Sequence, residues 1–85
     1  MRYRIWADQG DAWDDVPKPD LLIVAENAQR AAERAVEILN EDDLSNGLIV
    51  APEGEDTFQH FGVQKTVEVW LRGTVSLAHL RGDEP

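Results

Sequence analysis

The sequence predicts one α+β domain: an antiparallel or mixed sheet of five to six strands with a single helix packed across one face, in the order β-β-α-β-β-β. Three observations carry that prediction. Eighty-five residues leave room for one core and no second. The clearest helical period of apolar residues starts at Asn27. The other apolar stretches are short, β-branched or alternating, and are set apart by Gly, Pro, Asp and Asn.

In chain order, residues 2–7 alternate, with Tyr3, Ile5 and Ala7 on one side and Arg4 and Trp6 on the other, which predicts a first strand. Residues 8–19 break the pattern and end in the stiff Pro17-Lys18-Pro19, so they form a loop. Residues 21–25 are apolar on both faces, which predicts a central strand. Asn27 is a good N-cap, and Ala28, Ala31, Ala32, Ala35, Val36 and Leu39 then recur at the spacing of one helical face. The alanines on that face imply close approach to a sheet. Glu33 is within reach of Arg30, and the helix should end near Asn40.

Residues 48–51 predict a third strand, 52–56 a turn, and 57–61 a returning fourth strand with a bend or bulge at Gly62. Residues 66–71 and 75–79 both alternate. A two-residue turn at Arg72-Gly73 would set Val69 opposite Ser76 and mix the faces. A three-residue connection over 72–74 pairs Leu71 with Val75 and Val69 with Leu77, and is favoured. Residues 81–85 read as a frayed polar tail, so the single domain spans 1–85.

Composition narrows the function. A hydrophobic fraction of 42% supports a compact core rather than a disordered tail. There is no cysteine, so neither disulfides nor thiolate metal sites can reinforce it. No apolar run approaches the roughly 20 residues of a membrane span, and the start has no signal-peptide stretch, which predicts a cytoplasmic protein. Seventeen acidic residues oppose 8 basic ones, a net −9. Such a chain repels phosphate backbones and anionic lipid, so a basic protein surface is the expected partner rather than nucleic acid or membrane.

Signs of catalysis or of a cofactor are missing from the pattern. No glycine-rich phosphate loop is present, and His60 and His79 are the only histidines. His60 reads as a strand histidine and His79 as the edge of the core. Asp8, Asp11, Asp14 and Asp15 do not have the spacing of a calcium-binding EF-hand loop. Neither Ser45 nor Ser76 sits in a nucleophile motif. The expectation is a protein that binds without catalysis, cofactor or metal.

The acid is clustered. Residues 8–20 hold Asp8, Asp11, Asp14, Asp15 and Asp20 against Lys18, and residues 41–56 hold Glu41, Asp42, Asp43, Glu53, Glu55 and Asp56 with no base. On one side of the sheet the two segments would form an acidic face able to imitate a phosphate backbone; apart, they are two solvated loops. Trp13, within Asp11-Ala12-Trp13-Asp14-Asp15, is either an interface anchor or a plug folded back on the core. Trp6 and Trp70 lie opposite the main apolar stripe of their strands and form a second patch, under a loop or at an interface.

The helical run from Ala25 to Leu39, the acidic turn, Gly47-Leu48-Ile49-Val50, the acidic hairpin and Thr57-Phe58-Gln59 together resemble small phage-encoded anti-CRISPR proteins that inhibit type I systems. The resemblance covers residues 20–80 and consists of helix pattern, element order, length and acidity; it assigns no role to any single residue. It implies an inhibitor in the host bacterial cytoplasm that binds a type I surveillance complex and blocks target DNA access with carboxylates. The expected partner-binding residues, read from charge and from Trp13, are Asp11, Trp13, Asp14, Asp15, Glu41, Asp42, Asp43, Glu53, Glu55 and Asp56. The alternative is a small self-associating structural protein, dimerising through Trp6 and Trp70.

Overall fold

The computed structural model describes residues 1–8, 10, 13, 15–39, 46–55, 57–64, 68–75 and 80. They form β1 (Arg2–Ala7), β2 (Leu21–Val24), α1 (Ala28–Ile38), β3 (Leu48–Pro52), β4 (Phe58–Gln64) and β5 (Glu68–Val75). The five strands make one sheet, in the order β2-β1-β3-β4-β5, and every neighbouring pair is antiparallel. The fold is α+β, with α1 touching all five strands.

The centre of the sheet is β3, whose residues Leu48, Ile49, Val50 and Ala51 are all buried. Leu48 and Val50 point to the helix face, where they join Tyr3, Ile5, Ile23, Phe61 and the alanines Ala31, Ala32 and Ala35. The alanines are fully buried because a methyl group is all that fits between helix backbone and sheet. Asn27 caps the helix: its side chain accepts from the Arg30 N–H at 2.9 Å. The helix ends at Ile38, a turn-end short of the Asn40 expected from the sequence.

Two helix side chains also reach carbonyls of the outermost strands. Arg34 donates to the Val24 carbonyl of β2 at 2.8 Å, and Gln29 donates to the Val69 carbonyl of β5 at 2.7 Å. Each satisfies a carbonyl on a strand that has only one strand neighbour.

The opposite face has its own core of Trp6, Ile49, Ala51 and Phe58, covered by Trp13, Val16, Val75 and Leu80. Trp6 is therefore buried under the 8–20 loop and takes no part in an exposed patch with Trp70, which is 40% exposed on β5. The dimer surface expected from those two tryptophans does not exist, because the loop occupies the Trp6 end of it.

Two further expectations are corrected. The strand over 21–25 is not central: β2 is an edge strand, and Leu22 and Val24 are 54% and 63% exposed on the face away from the helix. Apolar residues on both faces suggested double coverage, yet the cover on that face lies over Trp6, Ile49, Ala51 and Phe58. Residues 72–74 are not a turn. They belong to β5, which pairs with β4 from Phe58–Val75 to Gln64–Glu68. The register shifts between His60 and Phe61, so that His60 faces Gly73 and Phe61 faces Leu71, leaving Arg72 as the extra residue. That bulge keeps both sides of the shift in phase: Val75 faces Phe58 on one core, and Leu71 and Val69 remain on the helix side.

Gly62 lies inside β4 rather than at its end, and its role is close approach. A Cβ there would meet the Trp70 ring at 2.5 Å, and the Arg72 guanidinium carbon stands 5.7 Å from that ring's centroid. The expected strand over 75–79 falls, apart from Val75, outside the described residues, as do His79 and the 81–85 tail.

Candidate binding surface

The acidic turn after β3 is built by two arginines of β1. Arg2 and Glu53 face each other across the strands: the Glu53 N–H donates to the Arg2 carbonyl at 2.9 Å, and the side chains form an ion pair at 3.2 Å. Arg4 donates to the Pro52 carbonyl at 3.3 Å and to the Glu55 carbonyl. Its guanidinium also lies 5.3 Å from the Trp6 ring centroid and 5.8 Å from that of Phe58. The turn is thereby fixed to the second core, while the Glu53 and Glu55 side chains remain at the surface. The Arg2–Glu53 pair is about half exposed on each side, so it contributes little stability.

The N-terminal loop turns part of its acid inward. Asp8 pairs with His60 at 3.2 Å and accepts from the Gly10 N–H at 2.9 Å, and Asp20 accepts from the Ala7 N–H at 2.8 Å. The His60 Nε2 is also 3.1 Å from the Asn46 carbonyl. Both neighbours of that nitrogen are acceptors, so Nε2 carries the hydrogen. His60 thus ties the loop after β1 to the residues that open β3. Sequence reasoning missed this cluster, since its members Asp8, Asn46 and His60 are far apart in the chain and no motif joins them.

Trp13 is half-buried. Its ring centroid is 5.2 Å from Trp6 and 5.8 Å from Phe58, the latter edge-on, and its N–H donates to the Leu80 carbonyl at 2.8 Å. Trp6 donates from its indole nitrogen to the Pro17 carbonyl at 3.0 Å, pinning the exit of the same loop. Of the two readings of Trp13, the plug describes its packing, and the exposed remainder of the ring stays open to solvent. Asp15 is exposed beside it and accepts from the Val16 N–H at 2.8 Å. Asp11, Asp14, Glu41, Asp42, Asp43 and Asp56 lie outside the described residues.

The described ends of residues 46–55 lie at opposite ends of β3. Asn46 and Gly47 precede β3 at the Ala7 end of β1, whereas Glu53 and Glu55 follow it at the Arg2 end. A five-residue strand puts about 13 Å between those ends. The outward face of α1 is mixed: Glu26, Glu33 and Glu37 alternate with Arg30 and Arg34, and Arg30 pairs with Glu33 at 3.3 Å, as the sequence spacing suggested.

Among the described residues no three His, Asp or Glu side chains are arranged to hold a metal ion, and no helix is long and apolar enough to cross a membrane. No known protein family, curated protein or solved structure matches this chain.

Proposed function

We propose that this protein is an inhibitor of the anti-CRISPR kind, acting in a bacterial cytoplasm by binding a type I surveillance complex and denying target DNA its basic surface. The observation that carries the reading is the net charge of −9 concentrated in residues 8–20 and 41–56. The exposed Glu53 and Glu55 on a turn braced by Arg2 and Arg4 support it, because a fixed turn presents carboxylates without first having to order them. Charges of this kind attract a DNA-binding groove at long range and are screened by salt.

The test is a gel shift of target DNA with a purified type I surveillance complex. Adding the protein should remove the shifted band, less completely as salt is raised. Changing Glu41, Asp42, Asp43, Glu53, Glu55 and Asp56 to Lys should restore it. An unchanged band without co-migration of the protein, or inhibition indifferent to salt, rejects the reading.

A second reading, self-association, is favoured by one observation: Leu22 and Val24 are exposed on the edge strand β2. Light scattering decides it, and a strict monomer at high concentration removes it.

A further inference from the structure

The two edges of the sheet are not alike. β5 carries Arg72 within the strand and a register shift against β4, and both disfavour further pairing. β2 reads Leu21-Leu22-Ile23-Val24, with neither charge nor proline, and its Leu22 and Val24 are exposed.

The hydrogen bonds between β1 and β2 fix the direction of the outer peptide groups. The Ala25 N–H donates to the Met1 carbonyl at 3.0 Å, and the Met1 ammonium donates to the Ala25 carbonyl at 3.2 Å. Bonded and unbonded pairs alternate along an antiparallel ladder. In the observed register Tyr3–Ile23 is therefore a bonded pair, whereas Arg2–Val24 and Arg4–Leu22 are not. Leu22 and Val24 turn their N–H and C=O groups away from β1. Among the described residues only Arg34 reaches them, on the Val24 carbonyl, and that oxygen has a second lone pair. A row of this kind is completed by another strand, because a strand matches its spacing.

We infer that this strand is β2 of a second copy of the chain, running antiparallel about a two-fold axis at Ile23. The Leu22 N–H then donates to the Val24 carbonyl of the second copy, whose Val24 N–H donates back to the Leu22 carbonyl. The axis repeats both bonds. An axis at Leu22 would call on Asp20, whose N–H is already given to the Ile5 carbonyl. An axis at Val24 would call on Glu26, beyond the end of the strand. With the axis at Ile23, Leu22 of each copy meets Val24 of the other as an apolar cross-strand pair. The contact is isologous and closes at two copies, and the two five-stranded sheets become one.

Charge at this seam suits a second copy. Arg2 and Arg4 lie across from Val24 and Leu22 on β1, and Asp20, just before β2, is hydrogen-bonded to the Ala7 N–H. On the helix side Arg34 stands over Val24, in a surface it shares with Glu26, Arg30 and Glu37. Both signs are present there, so each copy offers the other opposite charges. The inference rests on the self-association reading and adds the surface, the register and the stoichiometry.

Sedimentation and amide hydrogen exchange of the intact protein, each at low and at millimolar concentration, form the test. A dimer should appear as concentration rises. It should tighten with added salt, which screens the repulsion between two chains of net −9. The Leu22 and Val24 amides should exchange quickly in the monomer and slowly in the dimer, while the Ile23 amide, bonded to β1, is protected in both. Val24→Lys, at a 63% exposed position, should leave the urea midpoint nearly unchanged and weaken the dimer about tenfold or more. A dimer that ignores Val24→Lys, or leaves those two amides unprotected, overturns the β2 seam while self-association stands. A strict monomer overturns both. Protection of the two amides only on adding the surveillance complex overturns self-pairing and gives the edge to a foreign strand. The inhibitor reading is judged by the gel shift, on which salt acts in the opposite direction.

Discussion

Replacing Phe58 by Ala should cost about 3–5 kcal/mol, the usual cost of emptying a fully buried aromatic site. Phe58 is 0% exposed and is the residue on which the second core is assembled. Trp6 and Trp13 stand 5.7 and 5.8 Å from its ring, Arg4 stands 5.8 Å away, and Val75 is its partner across β5. Small domains have only about 5–15 kcal/mol of stability in total, so the variant should unfold at a much lower urea concentration. Tryptophan fluorescence should move to the red at the same time, because Trp6 and Trp13 lose their shared neighbour. Trp13→Ala should cost less, since Trp13 is only partly buried and Trp6 and Phe58 still meet beneath it. Leu71→Ala, at a 48% exposed position, is the control and should cost less than about 1 kcal/mol. A Phe58→Ala midpoint no lower than that of Leu71→Ala would mean that this face of the sheet holds no core.

Gly47→Ala should be comparably damaging, for a different reason. The glycine has φ +97°, in the left-handed region, and sits where the chain enters β3. A Cβ there would lie 2.3 Å from the Phe61 carbonyl oxygen, a backbone atom held in the β3–β4 ladder. The side chain cannot swing aside, so the strands must separate. The change would also press on the His60 Nε2, 3.2 Å from the same point, and disturb the Asp8 N–H that donates to the Gly47 carbonyl at 3.0 Å. A loss of about 3 kcal/mol is expected. Gly54 separates the two contributions: its φ is +85°, but nothing lies within 4 Å of an added Cβ. Gly54→Ala should therefore show conformational strain alone, about 1 kcal/mol. Chemical denaturation of the two variants side by side checks this, and equal losses would show that Gly47 is not in close contact with β4.

Much of the fold was legible because local pattern and tertiary role agree. Asn27, Ala31, Ala32 and Ala35 announce a capped helix lying close on a sheet, and Tyr3 and Ile5 against Arg4 and Trp6 announce the two faces of β1. The errors fall where two structures satisfy the same pattern. Val69, Leu71 and Val75 keep a consistent face in a three-residue hairpin and equally in one long strand with a bulge at Arg72. Only pairing with β4, a long-range contact, separates them. The residues of β2 are apolar on both sides, which describes a central strand and equally an edge strand with Leu22 and Val24 left in solvent.

The candidate surface divides the same way. The acidity of 8–20 and 41–56 and the presence of Trp13 are properties of the chain, visible by counting. Their placement is not: β3 sets Glu53 and Glu55 about 13 Å from the Asn46 end, and Asp8 and Asp20 are consumed by His60 and the Ala7 N–H.

By itself, then, the sequence determined the class of fold, the helix and its buried face, and a net charge of −9. Those follow from composition and from periods of two and 3.6 residues, which neighbouring residues set between them. Tertiary structure alone decided which strand is central, that a loop buries Trp6, and which carboxylates stay outward. Each depends on what packs against what across tens of residues, and the free energy of that packing belongs to the whole core and not to any segment of it.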